Sequence, residues 1–109
     1  MMARMRHTPA EAARGVERES DLHNDIMAEC KRRGWIAFHG SMAERTARVC
    51  GEPDFIILGD NGRVLFIECK TKSGKLSTEQ LGIQLWAGKL GHKIHVVRSM
   101  DDFHVITAG

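Results

Sequence analysis

Apolar and polar positions along this chain follow two periods. Between Glu19 and Arg33, the residues Leu22, Ile26 and Cys30 recur at i, i+4 and i+8, the one-sided stripe of an amphipathic helix. Gly34 follows and predicts its end. Trp35-Ile36-Ala37-Phe38 reads as a first strand and Gly40 to Glu52 as a polar loop. Two apolar runs come next, at 54–59 and 63–70, parted by Gly59-Asp60-Asn61-Gly62. That pairing predicts a hairpin. Thr71 to Lys75 is a basic loop, and Ser77-Thr78-Glu79-Gln80 has the form of a capping box. The helix it opens runs to about Leu90, with Gly91 beyond. Lys93 to Val97 is a last strand, and Ser99 with Asp102 caps a short C-terminal helix. A further capping box, Thr8-Pro9-Ala10-Glu11, predicts a short helix to about Arg14 inside an N-terminal arm over 1–18. From Glu19 onward the order is α-β-β-β-α-β-α. The last strand follows a crossover helix and should run parallel to a neighbour. The expectation is an α/β domain over 19–109, with a mixed β-sheet flanked by helices.

One strand carries the candidate chemistry. Side chains two apart on a strand share a face, roughly 7 Å along it. Glu68 and Lys70 therefore share a face with Val64 and Phe66, while Leu65, Ile67 and Cys69 line the other. Both faces are mostly apolar, as in a strand covered on both sides. Burying two charges there costs several kcal/mol each without a partner or metal. Asp54 opens the preceding strand, and the turn decides where it points. A three-residue loop, Asp60 to Gly62 with Gly62 left-handed, places Asp54 opposite Glu68. A two-residue Asn61-Gly62 loop would place it opposite Cys69 and turn it to the other face. The first register is the one expected. Two carboxylates then face each other beside a lysine. Hard cations such as Mg²⁺ are held by one or two carboxylates plus substrate phosphates, so this set points to metal-assisted phosphodiester hydrolysis.

Composition narrows the class without deciding it. A length of 109 residues suits one domain. A net charge of +2 demands no nucleic acid by itself. Cys30, Cys50 and Cys69 are odd in number and lack CxxC spacing, which suits free thiols in a reducing compartment. No run approaches a membrane span, and the basic start lacks the apolar core of a signal peptide. A cytoplasmic location is the expectation. The six histidines show neither HxxxH nor paired Cys/His spacing, so no zinc site or HNH-type nuclease is expected. Lys31, Arg32 and Arg33 suit a helix C-terminus and are assigned no function.

The ordered motifs resemble the virus-type replication-repair nuclease (VRR-NUC) domain of the PD-(D/E)xK superfamily. The matching stretches are Glu19-Ser20-Asp21, Gly51-Glu52-Pro53-Asp54, Phe66 to Lys72, Gly74 to Gln80, and Val97 to Asp102. Together they span about residues 19–106. The glycine, serine and glutamine spaced just after the lysine make the set far more specific than a bare PD…ExK match. The resemblance implies a restriction-endonuclease-like core and a metal-dependent nuclease, with Glu19, Asp54, Glu68, Lys70 and Gln80 as its site residues. Asp54, Glu68 and the backbone carbonyl of Cys69 would hold Mg²⁺ or Mn²⁺, and Glu19 would assist with a second ion or its water. Lys70 would orient the attacking water or stabilise the developing charge. Gln80 would position the lysine or a phosphate, although the capping box accounts for it equally well. Glu19 also suits the first turn of a helix for electrostatic reasons alone.

The implied substrate is DNA, branched or flapped and similar to a Holliday junction, and the implied assembly is a homodimer. Arg45, Arg48, Lys72 and Lys75 are the candidate phosphate contacts. The helix from Thr78 bears two apolar stripes, Leu81 with Leu85, and Ile83 with Trp86 and Leu90. A single sheet buries about one face of a helix, so the second stripe fits a dimer contact. Cover by the N-terminal arm or the C-terminal helix is the plainer alternative. Two other functions compete. A sequence-specific restriction-type enzyme needs a groove-reading element for which there is little room. A non-catalytic DNA-binding module would not need the complete set of acids and lysine.

Overall fold

A computed structural model describes residues 18–40 and 50–108. The short helix expected at 8–14 and the loop arginines Arg45 and Arg48 lie outside the described residues. Helix α1 (Glu19–Arg33) leads to β1 (Ile36–His39), β2 (Phe55–Leu58) and β3 (Val64–Cys69). Helix α2 (Thr78–Lys89), strand β4 (Ile94–Val97) and helix α3 (Met100–Thr107) follow. The strands form one sheet in the order β1-β2-β3-β4. β1–β2 and β2–β3 are antiparallel, and β3–β4 is parallel. The mixed α/β architecture is the expected one. No helix among the described residues is long and apolar enough to cross a membrane.

Local chemistry explains the boundaries. Gly34 takes a left-handed φ of 77°, its amide bonds the Lys31 carbonyl at 3.1 Å, and the Trp35 amide bonds Cys30 at 2.8 Å. These are the two closing bonds of a Schellman motif. They take Trp35 out of the expected first strand, which begins at Ile36 and runs one residue further, to His39. Ser77 caps α2 and Ser99 caps α3 through side-chain oxygens.

The hairpin turn holds the expected three-residue form. Asn61 and Gly62 both have positive φ, 58° and 75°. Gly59 N–H donates to the Arg63 carbonyl at 2.8 Å. Phe55 then pairs with Ile67 and Leu58 with Val64. One step beyond Phe55–Ile67, Asp54 stands opposite Glu68.

The two faces of the sheet differ. Phe55, Ile57, Leu65, Ile67 and Cys69 are buried against Leu22, Ile26 and Cys30 of α1 and Phe103 of α3. The opposite face, expected to be covered as well, is only partly so. Helix α2 lies over it with no fully buried residue. Ile56, Val64, Leu81 and Leu90 stay exposed. A cleft of about 330 Å³ runs between Ile56 and Phe66 of the sheet and Ile83, Ala87 and Leu90 of the helix. Helix α3 packs with α1 on the other side, so it does not cover the second stripe of α2.

Stability should follow this one-sidedness. Ile67→Ala, at a fully buried position, is expected to cost about 2–5 kcal/mol. Val105→Ala, on a side chain 74% exposed, is expected to change stability by less than about 0.5 kcal/mol. Urea unfolding followed by circular dichroism measures both. Equal losses would contradict a single core on the α1–α3 side.

Candidate active site

Three chain segments meet at one end of the sheet. The first is the turn into β2. Gly51 has a φ of +87°, and a Cβ there would lie 2.6 Å from the Glu79 carbonyl oxygen. Glycine alone lets Gly51-Glu52-Pro53-Asp54 approach the first turn of α2 this closely. Asp54 follows, and its Oδ2 accepts from the Cys69 amide at 2.8 Å. That bond crosses from β2 to β3 and fixes the carboxylate beside Glu68.

The second segment is the end of β3. Glu68 is 2% exposed, although it lies on the more open face of the sheet. The third segment, α2, explains this. Gln80 Nε2 donates to Glu68 Oε2 at 2.6 Å. The same amide presents Oε1 to the Ser77 N–H at 2.8 Å, while Ser77 Oγ accepts from Gln80 N–H at 3.0 Å. Capping and site-building are therefore two ends of one side chain. The capping box expected for Gln80 is present, and the same side chain bonds Glu68 instead of Lys70.

Electrostatics separates the two acids. Burial first, then the negative charge of Asp54, push the Glu68 carboxyl up to about 8, with Glu19 adding to the rise and the Lys70 ammonium opposing it. Burial also acts to raise Asp54. There it is outweighed by His23, the Cys69 amide and the charge of His39, which leave Asp54 below the ordinary carboxylate range. Paired acids in a shared site are pushed apart in this way. The Cys69 thiol is raised strongly, by burial first and then by Asp54, Glu19 and Glu68, and stays protonated in the metal-free protein.

Glu19 stands at the first turn of α1, joined to Asp54 through His23. His23 Nε2 lies 3.8 Å from Glu19 Oε2 and 3.5 Å from Asp54 Oδ2. Its ring sits edge-on to His39 and Phe55, which stack on each other at 4.5 Å. No histidine pairing was legible along the chain. The local signal available was that His23 follows Glu19 by four residues, on the same helix face. A cleft of about 280 Å³ bordered by Phe38, His39, Gly40, Pro53 and Asp54 opens beside this group.

A nuclease-related domain family profile (NERD) matches residues 14–104. The chain belongs to the nuclease-related domain family. This NERD chain is 29% identical over 91 residues to "Putative nuclease p44" of Acyrthosiphon pisum secondary endosymbiont phage 1, across 84% of this chain and 94% of that protein. A solved VRR_NUC domain superposes with a TM-score of 0.68 at 21% identity, covering 84% of this chain and 97% of that one. At that identity the likeness is one of fold, and it is the fold the motifs implied.

In this NERD domain the loop after Lys70 is also pinned. Arg98 Nη1 donates to the carbonyls of Thr71 at 2.7 Å, Lys72 at 3.3 Å and Gly74 at 2.6 Å. The Arg98 amide is held by Asp102 Oδ2 at 2.9 Å. The exposed side chains of Lys72 and Lys75 are thus carried on a fixed backbone. A larger recess of about 450 Å³ at the far end of the domain is lined by Arg33, Trp35 and Arg63. Its arginines are engaged elsewhere, Arg63 with the Ile106 and Thr107 carbonyls and Arg33 with Glu29.

The raised Glu68 carboxyl carries a sign that can be checked. Its pKa is raised from 4.5 in the unfolded chain to about 8 in the fold, so the native state holds a proton the unfolded chain gives up. This contribution is complete below about pH 4.5 and is lost as pH rises through about 8, a matter of a few kcal/mol. Melting of the chelator-treated protein should therefore fall between about pH 6 and pH 9, and Glu68→Gln should flatten that fall. A flat wild-type profile would contradict the raised carboxyl.

Proposed function

We propose that this nuclease-family chain is a metal-dependent DNA endonuclease, hydrolysing phosphodiester bonds at branched, flapped or junction structures in phage replication, recombination or repair. The observation that carries the reading is the pairing of Asp54 with the almost fully buried Glu68, braced by Gln80 and followed by Lys70. A pair of acids whose charges oppose each other in a nearly dry pocket fits a hard divalent cation, which would remove that repulsion. Asp54, Glu68 and the Cys69 backbone carbonyl would hold Mg²⁺ or Mn²⁺, with Glu19 assisting. Such an ion supplies Lewis-acid polarisation of a phosphoryl oxygen and a lowered pKa for bound water.

The chain's own groups supply the rest. Gln80 keeps the Glu68 carboxylate aimed and shields it from water. Lys70, on the same strand face as Glu68, would orient the attacking water or balance charge on the phosphoryl oxygens. Lys72 and Lys75, on the loop tied by Arg98, would contact backbone phosphates, which position DNA without reading sequence. The exposed apolar residues of α2, with Leu85 73%, Trp86 63% and Leu90 66% exposed, favour a homodimer through this helix. Two sites on one dimer would suit two strands of a junction.

Cleavage of labelled four-way junction, flap, splayed arm and linear duplex, in Mn²⁺, Mg²⁺ or EDTA, tests the activity. Metal-dependent cuts at the branch are expected. Glu68→Ala is expected to lower the rate by at least about 10²-fold while circular dichroism stays native. Full activity in that variant would remove the site assignment, and binding without cuts under any metal would favour a binding module. Sedimentation tests the assembly separately. Leu85→Asp with Trp86→Asp should convert dimer to monomer, and a wild-type monomer at high micromolar concentration would remove the dimer.

A further inference from the structure

His23 has no part in the reading above, yet it sits among the acids. Its Nε2 is shut off from solvent and makes no hydrogen bond. Asp54 Oδ2 at 3.5 Å and Glu19 Oε2 at 3.8 Å are too far for one of ordinary length. The ring nitrogen is thus within ion-pair distance of two carboxylates without a hydrogen bond of ordinary length to either. Its spacing has a chemical meaning. Donors sharing a cation with bonds of about 2.1 Å stand roughly 3–3.5 Å apart. A ring nitrogen of His23, a carboxylate oxygen of Asp54 and Sγ of Cys69 lie within 4.8 Å of one another. The thiol stays protonated, so the His23 nitrogen and the Asp54 oxygen are the pair that counts. The ring is already oriented by its edge contacts with His39 and Phe55, so little freedom is lost on binding.

We propose that His23 is a metal donor beside Asp54, and that it biases this site toward first-row transition ions such as Mn²⁺ over Mg²⁺. Mg²⁺ seeks oxygen ligands and water, whereas imidazole suits transition ions. Asp54 is the donor common to both ions. With Mg²⁺, the oxygen set of Asp54, Glu68 and the Cys69 carbonyl suffices. With a transition ion, His23 adds a nitrogen. Glu19, whose Oε2 lies 3.8 Å from the same ring nitrogen, orients the ring. The proposal rests on the metal-dependent reading of the site and adds to it a residue and a choice of ion.

The test uses the full chain stripped with chelator, with Mn²⁺ alone as the probe. Binding is read from loss of the free-ion paramagnetic resonance signal, and ligand type from nitrogen modulation of the electron spin echo. Wild type should show a directly bound imidazole nitrogen. His23→Gln should lose that modulation and bind Mn²⁺ about 10-fold or more weakly, while its Mg²⁺ affinity by competition stays within about twofold. His39→Gln should keep the modulation. Mn²⁺ bound without nitrogen, or a nitrogen lost with His39 instead of His23, overturns the proposal and leaves metal dependence standing. A wild type that binds no Mn²⁺ overturns both. The wild-type echo is informative whether or not the variants fold.

Discussion

The parity of one hairpin sets the rest of this structure. Side chains on a strand alternate, so a turn one residue shorter would send Asp54 to the opposite face from Glu68. The turn is held at three residues by two successive positive-φ positions, Asn61 and Gly62. These are residue types that adopt left-handed geometry at low cost. The same register buries Phe55, Ile57, Leu65 and Ile67 together. A slip would expose the core and separate the acids at once. Packing free energy therefore enforces the geometry of the site, although the site itself gains nothing from burial.

A second constraint follows from where Glu68 lies. A carboxylate with 2% exposure needs donors, and its own strand offers few. The donor comes from the first turn of α2, where the capping box has already fixed Gln80. Helix start, glutamine and glutamate form one unit, further tied to the Asp54 segment by the close approach of Gly51 to Glu79. Changing Gln80 would disturb a helix terminus and a buried acid together. Its effect on any activity is therefore not separable from its effect on structure without a second measurement.

What was legible along the chain was what depends on local spacing. The α1 stripe, its glycine stop, the hairpin parity and both serine caps are properties of neighbours within a few residues, and each appears as expected. The Asp54–Glu68 pairing was legible because parity carries it across the turn. Contacts between distant segments were not. The amide of Gln80 reaches Glu68 only because α2 folds back over the sheet. His23 meets Asp54 only because the N-terminal part of α1 packs beside the entry to β2. Arg98 looked like one more motif position, and its hold on the 71–74 backbone depends on β4 lying parallel beside β3.

The two faces of the sheet divide the work. The α1–α3 face is closely packed and supplies the core. The α2 face is loosely covered, with apolar side chains left at its surface. The acids stand at the end where these faces meet. Asp54 takes its hydrogen bond from Cys69, whose side chain belongs to the packed face, and Glu68 takes its own from Gln80 on the loose one. One acid is thus held by the rigid core and the other by a helix that has little burial to hold it. Anything that seats α2 more firmly on the sheet, whether a second copy of the chain or a bound substrate, would act on Glu68 first. The weak packing of α2 and the burial of Glu68 are in that sense a single feature.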